Sequence, residues 1–341
     1  MNVSIDQAAK TAIYKQLVSQ IEHGIKDGSI KPGELLPSMN ELSTGTGISR
    51  ETVKKAYGIL VDKGVIIPKQ GKGFFAASPE ESSRIQVLVV FDKFSVYKQI
   101  LFNSFAQALG ENADITILNH NQSVDLLKYY LDSYLDQYDY YVIAPHFPLD
   151  ADTQQKVVRL LKRVPYRKLI LLDHLQDGFH GNYGAVYQDF ENDIYGGLEQ
   201  LDRDRRDARR LRVMTLPTSL YGHIICKGVE RYAMDRKLEV EFITGTPAGI
   251  DKGDLFLVLN SQLDSGLVDL VRKIQAVGLE IGKDVYIVSY NEYDMNELVL
   301  GGLTTVSTDF PEMGRLAAGI IKSRRTAKLH CPFRVTRRKT F

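Results

Sequence analysis

The chain has 341 residues, of which 44% are hydrophobic and 25% charged, the make-up of a soluble globular protein with room for two or three domains. Its formal charge of +1 excludes a uniformly basic coat for nucleic acid, so any DNA contact must come from a local patch. No run approaches the roughly 20 apolar residues of a membrane span, the start MNVSIDQAAKTAIYKQL lacks a signal-peptide core, and Cys226 and Cys331 lie too far apart for a metal spacing, so a reducing, cytoplasmic setting is expected.

Residues 11–28 predict an amphipathic helix, with Ile13, Leu17, Ile21 and Ile25 four apart and Gly28 at its end. IKPGELLPSMNELS then gives a proline–glycine turn and Ser38 as the N-cap of a second, short helix. After a GTG turn, ISRETVKKAYGIL puts Val53, Ala56, Tyr57 and Leu60 on one face of a third helix, from about Ser49 to Lys63, with Gly64 beyond it. VIIPKQGKGFF shows two short β-prone runs around a glycine-rich tip, which is a hairpin pattern. Three helices and a hairpin make a winged helix-turn-helix domain over residues 1–77. SPEESSR (78–84) is a polar linker.

From Ile85 the pattern alternates. IQVLVVFDK is a continuous apolar run, as in a strand buried on both faces of a parallel sheet. There follow a helix (about 96–110), the strand DITILNH, a helix (about 123–137), the strand YDYYVIAPH, a helix (about 151–163) and the strand KLILLDH. The alternation restarts with LRVMTLP, a helix near 222–236, EVEFITG, DLFLVLN, a helix near 262–277 and VYIVSYNE. Residues 85–341 are therefore expected to form an α/β effector domain of two similar doubly wound parallel-sheet lobes with a cleft between them. The tail from Lys322 holds eight Lys/Arg and no acid, the composition of a solvated end.

Between Arg50 and Gly73 stand six Lys/Arg against Glu51 and Asp62, a local positive footprint of the kind a phosphate backbone needs. In a helix-turn-helix the N-terminal residues of the recognition helix meet base edges. Ser49, Arg50 and Thr52 occupy that end; Arg50 can pair with a guanine edge and Lys54 can neutralise a phosphate. Gln70 and Lys72 flank the glycines of the wing. Taken alone, SRETVKK is also an ordinary capped, charged helix start.

The order of elements decides between these readings. G-x-x-x-P-G-x-x-L-P-S (Gly28–Ser38), S-R-x-T-V (Ser49–Val53) and G-x-G-x-F (Gly71–Phe75) together resemble the winged-helix domain of the GntR family of bacterial transcription regulators. The resemblance implies DNA contacts at Arg50, Thr52, Lys54, Gln70, Gly71 and Lys72, and Ser38 and Ser49, at the helix starts of the motif, are expected to join them. Where that family usually has a Glu-Arg pair after LPS, this chain has Met39-Asn40, which removes one charged contact and changes what the operator sequence can be.

Open parallel sheets bind ligands beyond the C-terminal ends of their strands. Those ends offer Asp92, Lys93, Phe94, Tyr97, Pro145, His146, Phe147, Asp173, His174 and Asp189 in the first lobe. The second offers Thr218, Ser219, His223, Asn260, Asn291 and Glu292. Carboxylates, amides, imidazoles and aromatic rings together suit a polyhydroxylated sugar, whose hydroxyls pair with the polar groups and whose C–H face lies on a ring. Each has a plainer alternative: Asp92 as a helix cap, His146 and His174 as satisfied core histidines. DVYIVSYNE followed by LTTVSTDFPEMGRLAA is similar to LacI-type repressors and periplasmic sugar-binding proteins of type I. That similarity implies ligand contacts at Asn260 and Asn291 and makes arabinose- or fucose-like monosaccharides the first effector candidates.

No G-x-S-x-G elbow, H-E-x-x-H or P-loop occurs, so neither a catalytic residue, a metal nor a cofactor is expected. The expectation is a homodimeric, sugar-responsive repressor of sugar-utilisation genes that binds double-stranded operator DNA. The alternative is a sugar-acting enzyme with an accessory DNA-binding domain.

Overall fold

In the computed structural model, which describes residues 3–6, 11–69, 71–77, 84–202, 208–215, 217–259 and 266–341, three helices and a hairpin open the fold. They are α1 (Ile13–Lys26), α2 (Met39–Thr46), α3 (Arg50–Asp62), β1 (Ile66–Lys69) and β2 (Gly73–Ala76). Leu17 and Ile21 of α1 meet Val53, Ala56, Tyr57 and Leu60 of α3 in one core, all of them at most 1% exposed. Ser38 and Glu41 form a reciprocal capping box at the start of α2. Gly47 ends that helix in the left-handed region, at φ 70°, where a side chain would be strained. The Tyr57 hydroxyl donates to Pro37 O at 2.7 Å and ties α3 to the turn before α2; burial pushes its pKa up to about 12. β1 and β2 pair antiparallel, Ile66 opposite Ala76 and Lys69 opposite Gly73. The segment after the proline–glycine turn runs beside them, with Leu36 N donating to Phe74 O at 2.8 Å.

The rest of the chain supplies β3 (Ile85–Phe91), α4 (Val96–Leu109), β4 (Ala113–Asn119), α5 (Val124–Tyr134), β5 (Tyr140–Ile143), α6 (Ala151–Leu161), β6 (Leu169–Asp173) and β7 (Gly184–Tyr187). It continues with α7 (Phe190–Asp202), β8 (Arg210–Thr215), α8 (Gly222–Arg236), β9 (Glu239–Thr244), β10 (Asp254–Val258), α9 (Gly266–Ala276) and β11 (Tyr286–Tyr290). The final elements are β12 (Thr304–Thr308), α10 (Phe310–Ser323), β13 (Lys328–His330) and β14 (Phe333–Thr336). Two six-stranded sheets result, ordered β13-β7-β6-β5-β3-β4 and β14-β12-β11-β10-β8-β9. The order is the same in both, an internal repeat that the sequence does not display. Neighbours such as β5–β6, β6–β7, β8–β10 and β10–β11 run parallel, while β14 joins β12 antiparallel. The fold is thus α/β, a winged helix-turn-helix followed by two doubly wound lobes of the periplasmic-binding-protein type.

The continuous apolar runs have their reason in this packing. Leu255, Leu257 and Leu259 face one core of the second lobe, and Phe256 and Val258 face the other. β7 and α7 carry little signature in the sequence, since β7 is four residues long and begins with glycine.

The basic tail is not a solvated end. Its strands β13 and β14 edge the two sheets, one each. Arg334 pairs with Asp309 at 2.6 Å and Arg338 with Glu292 at 2.8 Å. The buried Thr340 accepts from Thr304 N and donates to Ile287 O, at 2.8 and 2.7 Å. These cations have carboxylate partners far away in the sequence, which composition alone does not reveal. No helix among the described residues is long and apolar enough to cross a membrane.

Helices α7 and α8 meet closely at Gly228, where an added Cβ would lie 2.2 Å from Glu191 O and 2.5 Å from the Ile194 side chain. Gly228→Ala must force these helices apart and should cost about 1–3 kcal/mol, as overpacking does. Thermal denaturation of the variant checks this, and an unchanged midpoint would contradict the close contact.

Candidate functional site

Two places concentrate exposed or unsatisfied polar chemistry. The first is the N-terminal end of α3. Ser49 caps it, accepting from Thr52 N at 3.2 Å, with its hydroxyl 2.8 Å from that of Thr52. This leaves Ser49, Arg50, Lys54 and Lys55 exposed on the face opposite the core. Ser38, Gly71 and Lys72 are exposed as well, while Gln70 lies outside the described residues. Part of the basic cluster is already engaged: Lys63 pairs with Glu22 at 2.7 Å, and the Lys55 ammonium sits 4.2 Å over the Tyr14 ring. Among the described residues the side chains of Arg50 and Lys72 have no such partner.

The second place is a cavity of about 580 Å³ where the strand ends of the two sheets face each other. Of the strand-end residues, Asp92, Lys93, Phe94, Tyr97, His146, Asp173, Thr218, Ser219 and Asn291 line it. His174 sits directly behind, its ring 4.7 Å from that of Tyr221 and 6.2 Å from that of His146. The others serve elsewhere. Asp189 accepts from Asn192 Nδ2 at 2.7 Å, at the start of α7. Glu292 is held by Arg338 and Thr305. His223 lines a separate depression on the second lobe with Cys226 and Phe242, and Asn260 lies outside the described residues. Phe147 is buried beneath His120, the rings stacked at 4.1 Å.

The sequence reading misses Lys98, Gln188, Tyr221, Tyr290 and Phe310, which also line the cavity. Tyr290 immediately precedes Asn291 at the end of β11, so the strand-end rule could have included it. Lys98 stands in the first turn of α4, where a lysine reads as solvated, yet it is 5% exposed. Its ammonium bonds Asp173, which also accepts from Gln188 Nε2. Gln188 in turn accepts from Thr308 Oγ1 at 2.6 Å, so the pair is tied into the second lobe. His146 Nε2 lies 2.8 Å from Asp173 Oδ2 without the alignment of a hydrogen bond. Burial works against the charge on Asp173; Lys98 first and then His146 outweigh it and hold the carboxyl far below the usual carboxylate range.

Several buried atoms here make no hydrogen bond: Asp92 Oδ1 from the first lobe, and Tyr221 OH, Tyr290 OH and Asn291 Oδ1 from the second. Such atoms are costly unless a ligand or water completes them. Aromatic faces stand beside them, Tyr97 stacked on Phe310 at 5.2 Å and Phe190 on Tyr221 at 4.7 Å. Among the described residues no group of three or more His, Cys, Asp or Glu side chains could hold a metal ion.

Residues 13–76 match the family described as bacterial regulatory proteins, gntR family, and residues 255–337 match the periplasmic binding protein-like domain. The HTH-type transcriptional repressor NagR of Bacillus subtilis (strain 168) is 34% identical over 89 residues, which is 26% of this chain and 37% of that protein. The first curated relatives are matched over 37%, 31% and 65% of their lengths. Among solved structures, the trehalose repressor from Escherichia coli superposes with a TM-score of 0.59 at 14% identity, over 74% of this chain and 100% of that one. The Lac repressor bound to ONPG gives 0.59 at 18% identity, over 86% and 90%. At these identities the structural likeness bears on the fold.

Two buried histidines generate a pH dependence. His120 places Nε2 2.9 Å from Ala144 O and accepts from Gln122 N at Nδ1. A second ring proton would therefore face an N–H donor. Burial lowers the pKa of His120, and likewise that of His174, from 6.5 to about 4. Between these values the unfolded chain binds protons that the folded chain does not, so stability is full above pH 6.5 and falls as pH drops toward 4. Denaturant titrations at pH 7.5 and 5 should show this loss, and His120→Asn should flatten the slope; an equal slope in the variant would refute the assignment.

Proposed function

We propose that this chain, in which a GntR-type helix-turn-helix domain is joined to a periplasmic-binding-protein-like domain, is a transcription regulator whose DNA affinity responds to a small sugar. The observation that carries the reading is the cavity: unpartnered polar atoms from both lobes converge on it beside stacked aromatic rings. Residues 1–77 would be the DNA-binding domain, 78–84 the linker and 85–341 the sensor. Repression released by the sugar is the mode we favour, in keeping with relatives named as repressors.

In this reading Ser49, Arg50 and Thr52 stand at the end of α3 that meets base edges, Lys54 neutralises a phosphate, and Ser38, Gln70, Gly71 and Lys72 complete the contact with the duplex. One winged helix reads too few base pairs for useful specificity, so the working form would be a homodimer on a near-palindromic operator. A ligand that touches both lobes favours their closed arrangement, and only such differential affinity shifts the population. Arabinose- and fucose-like monosaccharides are the first candidates.

Arg50→Ala should weaken operator binding by about 1–3 kcal/mol, as loss of a bidentate base contact does. Lys72→Ala should weaken binding on all sequences and flatten its salt dependence. Fluorescence anisotropy at fixed salt reads both, and unaltered operator affinity in Arg50→Ala would mean that α3 is not the reading helix.

A thermal-shift screen of monosaccharides would first identify the ligand. At saturation that ligand should then change operator affinity roughly 5- to 150-fold. Asp92→Ala or Asn291→Ala should raise the sugar concentration required by about ten- to a hundredfold, leaving sugar-free DNA binding nearly intact. Wild-type response in both variants would show the sensor to be elsewhere, and turnover of the sugar would favour an enzyme.

A further inference from the structure

The charges on the cavity floor say what kind of ligand it accepts. Two carboxylates and an ammonium there are almost wholly buried: Asp92, Asp173 and Lys98, exposed by 5%, 3% and 5%. The single ammonium is committed. Lys98 Nζ bonds Asp173 and stands 3.9 Å from Asp92 Oδ1, so two carboxylates share one ammonium, and the His146 imidazole, 2.8 Å from Asp173, is turned to the same carboxylate. The other lysine of the lining, Lys93, is exposed. The unsatisfied Asp92 Oδ1 and, across the cavity, Asn291 Oδ1 are both acceptors, which a ligand can satisfy only by donating protons. A hydroxyl does so. A phosphate or carboxylate is mainly an acceptor and would bring a further negative charge against Asp92 and Asp173, where little water screens it.

We infer that the cavity takes an uncharged polyhydroxylated ligand and rejects its phosphate esters and carboxylate derivatives, and that the locked Lys98–Asp173 pair with Asp92 sets this selectivity. The inference rests on the reading of the cavity as a sugar sensor and narrows it to one chemical class. Lys98 carries the only buried ammonium among the described lining residues, and the His146 imidazole beside it also faces Asp173. While the ammonium's charge is spent on carboxylates of the protein, none remains for an anionic ligand.

Calorimetric titration of the full-length protein tests this with matched sets: arabinose, fucose, galactose and glucose beside ribose 5-phosphate, galactose 6-phosphate, glucose 6-phosphate, galacturonate and glucuronate. The expected result is that at least one neutral sugar binds and that every anionic compound binds roughly a hundredfold more weakly or not at all. An anionic sugar binding as tightly as the best neutral one would overturn the inference and leave the sensor reading standing. Binding by none would overturn both.

Asp92→Asn and Asp173→Asn then test the residues. Each removes one carboxylate and leaves Lys98 under-neutralised, so the preference for neutral over anionic ligands should narrow about tenfold or more. An unchanged preference in a variant that retains the wild-type circular dichroism spectrum would remove the ion pair from the explanation. The wild-type titrations decide the ligand class even if a variant does not fold.

Discussion

A parallel sheet sends the C-terminal ends of its strands to one edge, and this geometry organises both α/β lobes of the molecule. Backbone carbonyls and the first residues of the following loops gather there, and several of these loops, such as those after β3, β4 and β5, lead into a helix that must cover a face. Asp92 follows β3, His146 follows β5, and Asp173 ends β6. They come from segments up to 81 residues apart, yet meet because their strands lie side by side in the order β6-β5-β3. The second sheet repeats the arrangement and brings Asn291 to the corresponding edge. A cavity walled by two such edges inherits polar groups from both lobes.

The two sheets also share a local backbone feature. Asp173, at the end of β6, and Asn291, just after β11, both have φ 75°, and β6 and β11 occupy the same place in their sheets. Aspartate and asparagine tolerate the left-handed region better than other residues with side chains. Their presence at matched positions gives the internal repeat a physical expression that composition hides. In the first lobe the turned carboxylate meets Lys98; in the second the amide keeps an open acceptor. The lobes thus place a closed ion pair opposite an unfilled polar site.

The helix-turn-helix end was legible because its determinants are local. Caps at Ser38 and Ser49, the turn at Pro32-Gly33 and the face formed by Val53, Ala56, Tyr57 and Leu60 are all readable within a few residues. The strand-end rule found Asp92, His146, Asp173 and Asn291, since apolar runs show where strands stop. It also took in Glu292 and His223, which do not line the cavity, because a position near a strand end does not say which way a side chain turns or whether Arg338 will claim it. It could not find Lys98, whose burial depends on a carboxylate 75 residues away. Nor could it find Phe310, which reaches the cavity by stacking on Tyr97. Long-range pairing of charges also hid the tail, for the partner of Arg338 lies 46 residues upstream.

The course of the tail sets the order in which the molecule is completed. Strand β13 edges the first sheet and β14 the second, separated by only two residues. Neither sheet has all its strands until residues 328–336 have left the ribosome, although most of the first has been synthesised by residue 187. At roughly 5–20 residues per second, the first sheet waits about 7 to 30 seconds with an unpaired edge. The winged helix closes its core within residues 13–76 and needs nothing downstream for it. A nascent chain can therefore hold a folded helix-turn-helix head before either lobe is complete, and the two halves of the fold close in sequence.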